Sequence, residues 1–375
     1  MANARPVRRL PGFRDTGARE QAVRQAAVET CRRRFELRGY GWLDTPYLEE
    51  TELFLRKSGG ELSSRLCSFT DPAGYAVSLR PEFTAPVLRH VIEAGSPEGL
   101  PLRVQYAGAV FRYAARADAE DAGPESRQFT QVGAELIGGA GARADGEILA
   151  MALDGLNALL VPGPSLILGH VGLLWELLRP FSLSDRGRLF LVSRVGELSR
   201  GAGEVAAARD RARELGLLPA GRGAAGGVGD RGAGESPALV ESVLRRTVAG
   251  SVGVAPGARA PGEIVSRLAR KVTSAEKPVL FDEALELLGE LATVRGPLDA
   301  ALEEGRAVVR RRGRDEAPFD RMERAVEAVL DEGVARDAVM VDFGLARGIA
   351  YYTGMVFDLV AAGGGRGPQG RGRRL

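Results

Sequence analysis

Apolar residues at Val23, Ala27, Cys31 and Phe35 recur at four-residue steps between arginines and glutamates, which predicts an amphipathic helix over residues 18–38, stopped by Gly39. The period then changes to two. Tyr75, Val77 and Leu79 alternate with smaller or polar residues and predict a strand, which Pro81 ends before a helix carrying Val87, Leu88, Val91 and Ile92. Alternation returns in Leu102, Val104, Tyr106 and Val110, and again in Phe129, Gln131, Gly133, Glu135 and Ile137; the two stretches are expected to pair as a long antiparallel hairpin. A helix from about Asp145 to Leu160, a short strand Ser165 to Leu168 and helical segments through Leu198 follow. Strands separated by helices without regular βαβ spacing predict an α+β fold around an antiparallel sheet flanked by helices.

Between Gly201 and Pro237 the chain turns Gly-rich and loses its periodicity, so a loose segment within an insertion is expected there. Helical patterning resumes from Ile264 to Leu330. Ala338 to Phe343 and Met355 to Val360 read as strands on either side of Tyr351 and Tyr352. The last stretch, Gly363 to Leu375, is dominated by Gly and Arg and is expected to be a disordered tail.

Composition adds bounds rather than a function. With 375 residues, 45% of them hydrophobic, the chain can bury a large core. Formal net charge is +2, and only three of the 51 basic residues are lysines (Lys57, Lys271 and Lys277). Acidic and basic residues alternate along most of the sequence instead of gathering in one stretch, which argues against a nucleic-acid surface. Cys31 and Cys67 are the only cysteines, no signal-peptide pattern opens the chain, and apolar runs such as Ile148 to Leu160 are too interrupted to span a bilayer. A cytoplasmic protein with free thiols, not bound to a membrane, is expected. His90 and His170 are the only histidines, a thin supply for a metal centre or a histidine-based triad, so neither a metal nor a cofactor is expected.

Gly221 to Gly226 spells G-x-G-x-x-G, but no strand precedes it and no apolar helix follows, so it reads as chance; Gly139 to Ala144 reads as a tight turn. Three other segments carry more information. In Ser78-Leu79-Arg80-Pro81-Glu82-Phe83-Thr84 a strand stops at proline and presents Glu82 and Thr84 at a helix start. Glu82 could hold a ligand's ammonium group there; the plainer reading is that Thr84 caps the helix and Glu82 complements its dipole. In the second segment, Val110-Phe111-Arg112 is followed by Ser126 to Gly138, where Gln131 and Glu135 share strand parity about 13 Å apart. Gly133 between them would leave room above the sheet for a small ligand; a satisfied polar patch on a half-exposed sheet is the plainer reading. The third segment, Leu345 to Phe357, holds Arg347, which could pair with a carboxylate or phosphate, and Tyr351 and Tyr352, of which one could pack while the other offers a hydroxyl. Taken singly, it could equally be an ordinary strand connection.

Together these segments resemble the histidyl-tRNA synthetase-like branch of the class II synthetase fold, from about Leu10 to Gly365. Leu10-Pro11-Gly12-Phe13-Arg14-Asp15 is similar to the family's opening signature, and Gly39-Tyr40 with Thr45-Pro46 and Glu49 to its first class motif. The resemblance implies a class II synthetase-like core over 1–362, interrupted by a mostly helical insertion at about 182–335 that is loose at 201–237, a tail at 363–375, and no anticodon-binding domain. It implies that Arg112 takes the arginine position of the second class motif. Glu82, Thr84, Arg112, Gln131, Glu135, Arg347, Tyr351 and Tyr352 would then form a histidine-binding set. An imidazole between Glu135 and a tyrosine hydroxyl, with an ammonium near Glu82 and Gln131, makes chemical sense.

Departures from the synthetase pattern change the functional expectation. Where a synthetase has a basic Gly-Arg-Tyr-Arg approach, this chain has Asp118-Ala119-Glu120-Asp121-Ala122-Gly123-Pro124-Glu125, whose carboxylates would repel ATP. Ala350 stands where the family's Arg-Gly-Leu-Asp-Tyr-Tyr element has aspartate, and the third class motif is missing. The wording from Gln131 to Gly138, followed by Ala144-Asp145-Gly146-Glu147-Ile148, resembles the regulatory-subunit branch of the family. That branch implies a regulatory subunit of ATP phosphoribosyltransferase in histidine biosynthesis, without catalytic residues of its own. Its partners would be the short-form catalytic subunit and a second copy of the chain, with histidine as ligand and no tRNA partner expected. The alternative is a truncated or divergent histidine–tRNA ligase that activates histidine with ATP.

Overall fold

The structure is a computed structural model, and it describes residues 7–58, 65–95, 99–113, 127–219, 275–345 and 352–361. The chain divides into two compact units, one comprising Met1–Ile167, Asp320–Met340 and Phe357–Leu375, the other Leu168–Phe319 and Val341–Val356. Helix and strand are mixed and the sheets are rich in antiparallel pairs, as the alternating stretches predict.

The centre of the first unit is the predicted hairpin. Strand β5 (Leu102–Phe111) pairs antiparallel with β6 (Gln128–Ile137) over ten residues each, with Leu102 opposite Ile137 and Phe111 opposite Gln128. The short strand β1 (Gly41–Trp42) adds to the other side of β5 in parallel. Period-two patterning gives the hairpin two distinct faces. Val104, Tyr106 and Val110 pack with Phe83 and with Val87 of helix α3 (Thr84–Glu93), which Phe83 precedes. On the opposite face Val132 and Ala134 meet Phe35 of helix α1 (Ala18–Leu37), Tyr40, and Met151 of helix α4 (Ala142–Ala158). Helix α1 forms over the predicted span, yet only its C-terminal turns reach this core. Phe35 is buried, whereas Val23, expected on the apolar face, is 65% exposed.

A second sheet, of order β2-β4-β3, joins β2 (Leu48–Glu50), β3 (Cys67–Thr70) and β4 (Ala76–Leu79) in antiparallel pairs. Helix α2 (Thr51–Ser58) follows β2 directly. The buried Ser78 hydroxyl meets those of Thr51 and Ser68 at 2.9 and 2.8 Å, and Arg89 grips the buried Glu49 carboxylate at 2.7 Å through two nitrogens. Arg80, at the end of β4, has no exposed surface. Its guanidinium lies 4.2 Å from the Tyr47 ring and 3.9 Å from that of Phe83, and it donates to the carbonyls of Thr45 and Ala109. These bonds fix the turn that carries Pro81 and Glu82 against β5. Helix α10 (Pro318–Asp331) packs so tightly on α4 that a Cβ on Gly146 would sit 2.7 Å from the Ala328 carbonyl carbon.

The second unit is mostly helical. It contains α5 (Val171–Leu178), α6 (Asp185–Leu198), α7 (Ala202–Glu214), α8 (Pro278–Thr293) and α9 (Leu298–Arg311). Phe190, Leu191, Phe281, Leu285, Leu288, Val308 and Val309 are buried in it. His170 caps α5, its Nδ1 accepting from the Leu173 N–H at 2.9 Å, and Ser184 caps α6 through the Gly187 N–H at 3.0 Å. This unit takes in residues on both sides of the 182–335 segment. The expectation of a loose chain from Gly201 is corrected over its first part: α7 covers Ala202–Glu214 and buries Ala208 and Ala212, and Leu217 and Leu218 follow as core residues. Alanines four apart make a packed stripe that a search for large apolar residues passes over. The remainder, 220–237, lies outside the described residues, as do the tail 363–375 and Gly221 to Gly226. A further four-stranded sheet has the order β10-β7-β9-β8, from β7 (Ser165–His170), β8 (Arg295–Pro297), β9 (Val339–Asp342) and β10 (Met355–Val360).

Candidate functional site

The polar residues singled out in the first unit gather on the α3 face of the hairpin. Alternation along β6 puts Gln131, Gly133 and Glu135 on that face, because Val132 and Ala134 go to the other. Pro81 ends β4, so the next residues turn into α3 directly above β6. The Thr84 hydroxyl consequently reaches Glu135, donating to Oε1 at 2.7 Å. Sequence reasoning did not include Tyr106 in the site, yet its hydroxyl donates to the same Glu135 oxygen at 3.1 Å. Burial, reinforced by the Glu135 charge, pushes the Tyr106 phenol well above its ordinary value, so it stays a proton donor at any physiological pH.

Tyr106 also corrects the expectation of open space over Gly133. The two residues face each other in the hairpin register, and a Cβ on Gly133 would lie 2.6 Å from the Tyr106 hydroxyl oxygen. The missing side chain makes room for the tyrosine ring, which stacks on Phe83 with centroids 4.4 Å apart and planes 7° from parallel. The recess floor is thus an aromatic edge carrying a hydroxyl, with Glu135 beside it.

Glu82 stands at the helix start, as expected, but takes the cap position that the plainer reading gave to Thr84. Its carboxylate accepts from the backbone N–H groups of Thr84 at 2.6 Å and Ala85 at 3.0 Å, so Glu82, rather than Thr84, caps α3. The same charge helps hold the Tyr106 proton in place. Gln131 lies on the shared face opposite Gly108, and its side-chain carbonyl is buried with no donor among the described residues. Arg112 leaves the end of β5 and donates from Nε to the Pro81 carbonyl at 3.2 Å, with its guanidinium 4.9 Å from the Phe129 ring. The opening Leu10-Pro11-Gly12 stretch meets this region: Gly12, at φ +79°, accepts the Arg127 N–H at 2.6 Å and lacks a Cβ that would strike the Arg127 side chain.

The structure therefore brings Glu82, Thr84, Glu135 and Tyr106 to one recess, with Arg112 against the Pro81 turn and Gln131 farther along the same face. Tyr352 belongs to the second unit, just before β10. Arg347, Tyr351, Ala350 and the acidic run at 118–125 lie outside the described residues. Among the described residues no group of three or more His, Cys, Asp or Glu side chains is arranged to hold a metal ion, and no helix is long and apolar enough to cross a membrane.

An acceptor-rich recess of this kind, with a protonated phenol and a carboxylate side by side, suits a small ligand with several N–H donors. Comparison with known proteins places the chain among relatives of one family. The histidine–tRNA ligase of Gluconacetobacter diazotrophicus is 40% identical over 162 residues, which span 42% of this chain and 37% of the ligase. That of Methanocaldococcus jannaschii is 26% identical over 362 residues, spanning 96% of this chain and 68% of the ligase. The fold is shared with a solved Bacillus halodurans protein described as an ATP phosphoribosyltransferase regulatory subunit/histidyl-tRNA synthetase (TM-score 0.64, 22% identity, 96% of this chain and 74% of that one). The histidyl-tRNA synthetase of Nostoc sp. PCC 7120 also shares it (TM-score 0.58, 16% identity, 97% of this chain and 66% of that one). A family model of histidyl-tRNA synthetase matches residues 12–220 and 244–373, and the chain belongs to that family.

Proposed function

We propose that this protein is the regulatory subunit of a short-form ATP phosphoribosyltransferase, a cytoplasmic synthetase relative that reads histidine without activating it. One contrast carries the reading. The amino-acid end of the site keeps Glu82, Thr84, Gln131 and Glu135, while the segment that would approach the nucleotide phosphates carries Asp118, Glu120, Asp121 and Glu125 in place of basic residues. Carboxylates at that edge would raise the cost of bringing a triphosphate close. In this reading the histidine imidazole lies against Glu135 and its ammonium near Gln131, whose buried carbonyl would gain a donor. In the same reading residues 182–335 are an insertion in the synthetase-like core, and two copies associate through the region around Tyr40 to Glu49. The fold shared with the Bacillus halodurans protein, whose description includes such a regulatory subunit, is consistent with this reading.

The decisive experiment mixes the purified chain with a short-form catalytic subunit and follows formation of phosphoribosyl-ATP with and without histidine. A complex whose activity depends on this chain and responds to histidine is the expected result. Absence of both complex and activity change would overturn it. The second reading, a histidine–tRNA ligase, is favoured by the 40% identity to the Gluconacetobacter enzyme over 162 residues. It requires histidine-dependent exchange of pyrophosphate into ATP, which the regulatory reading predicts to be absent.

A further inference from the structure

The opposite side of the hairpin carries a second cleft. It has a volume of about 540 Å³ and lies between the last turns of α1, the second half of α4 and the turn after α10. Ala150 and Leu153 of α4 form a buried apolar floor. Around it stand two opposite-charge pairs in different states. Arg38 donates to Glu332 at 2.8 Å, a closed pair that fixes the far wall. Arg34 and Asp154 stay 4.0 Å apart, too far for a hydrogen bond, and neither meets another partner among the described residues. Asn157, one helical turn beyond Asp154 on the same wall, adds an amide with no partner among the described residues.

A cation and an anion held just beyond bonding distance over an apolar floor match a ligand that carries both charges on groups attached to one carbon. From this geometry we propose that the α1–α4 cleft binds a free amino acid as its zwitterion. The ligand's carboxylate bridges to Arg34 and its ammonium to Asp154, Asn157 takes a remaining hydrogen bond, and the side chain rests on Ala150 and Leu153. Each charged contact is of the strong, charge-assisted kind. The volume accommodates an amino acid with a few waters. The cleft does not depend on the recess at Glu135, since the hairpin separates the two.

The test uses calorimetry on the whole protein with each common L-amino acid in turn, together with its N-acetyl and amide derivatives. At least one free amino acid should bind saturably, and derivatives lacking either charge should not. Arg34→Gln and Asp154→Asn should each weaken that binding by about tenfold or more, the effect of losing one hydrogen bond to a charged group. The binding should persist in Glu135→Gln, a change expected to weaken histidine at the recess under the proposed function. Both cleft side chains are partly exposed, at 45% and 35%, so these variants should fold, which a melting curve checks. No binding by any free amino acid, equal binding of the derivatives, or binding that is lost in Glu135→Gln but kept in Asp154→Asn would each overturn the proposal.

Discussion

Replacing Gly133 by alanine tests the core of the site directly. The added Cβ would lie 2.6 Å from both Cε2 and the hydroxyl oxygen of Tyr106, against an ordinary carbon contact of about 3.5–4.0 Å, so the ring must retreat by roughly 1 Å. It cannot retreat freely, because Phe83 is stacked behind it at 4.4 Å and is itself fully buried. Overpacking of this kind costs about 1–3 kcal/mol. For a unit of this size that corresponds to a fall in Tm of about 2–4 °C per kcal/mol. Urea unfolding of the wild type, Gly133→Ala, Tyr106→Val and the double variant measures the coupling, with m-values checked for constancy. In the Tyr106→Val background the clash partner is gone, so Gly133→Ala should cost little and the coupling energy should approach the full penalty. If Gly133→Ala is as stable as wild type, or is equally destabilising in both backgrounds, the tyrosine is not what requires glycine there.

Two further outcomes follow from the same unit. Arg103, bonded through two nitrogens at 2.7 Å, and then Tyr40 at 2.8 Å hold the Glu147 carboxyl below its ordinary value. The stability this contributes is present above the unfolded glutamate pKa of about 4.3 and is lost as pH falls through the lower folded value. Denaturation titrations run from neutral pH downward should therefore show a loss of stability in wild type that is smaller in Glu147→Gln, and parallel acid limbs would refute it. Glu82→Ala should cost about 1 kcal/mol of stability through loss of the α3 cap. Glu82→Gln keeps an acceptor and should cost less, while calorimetry should show weaker histidine binding in both variants; unchanged binding would leave Glu82 a helix cap alone.

The hairpin was legible because its two faces demand opposite chemistry at alternate positions, from Leu102 to Phe111 and from Gln128 to Ile137. Its most telling contact was missed. Tyr106 reads as one more apolar residue in an alternating strand, and only the register, which sets it opposite Gly133, shows that the glycine accommodates a ring. The connection between the strands runs from Arg112 to Arg127, too long for a turn to set that register from sequence. Glu82 was visible as a helix-start carboxylate, but whether such a group caps or binds depends on N–H directions that spacing alone does not encode. Helix α7 escapes a pattern of large apolar residues because its buried stripe is alanine, and Val23 is exposed because apolar period does not say how far along a helix the core extends.

The buried arginine at the end of β4 has a consequence for how the first unit assembles. A guanidinium stripped of water is tolerable only where other groups replace the lost hydration. Here those replacements come from chain segments far apart: the carbonyls of Thr45 and Ala109 and the flat faces of Tyr47 and Phe83. With fewer of them the charge would be left still less compensated, so a folding intermediate that closes around Arg80 before they have arrived is penalised. One cation thereby couples the small sheet, the Pro81 turn and the long hairpin into a single cooperative event, and a fragment cut between Tyr47 and Ala109 should have no stable fold of its own.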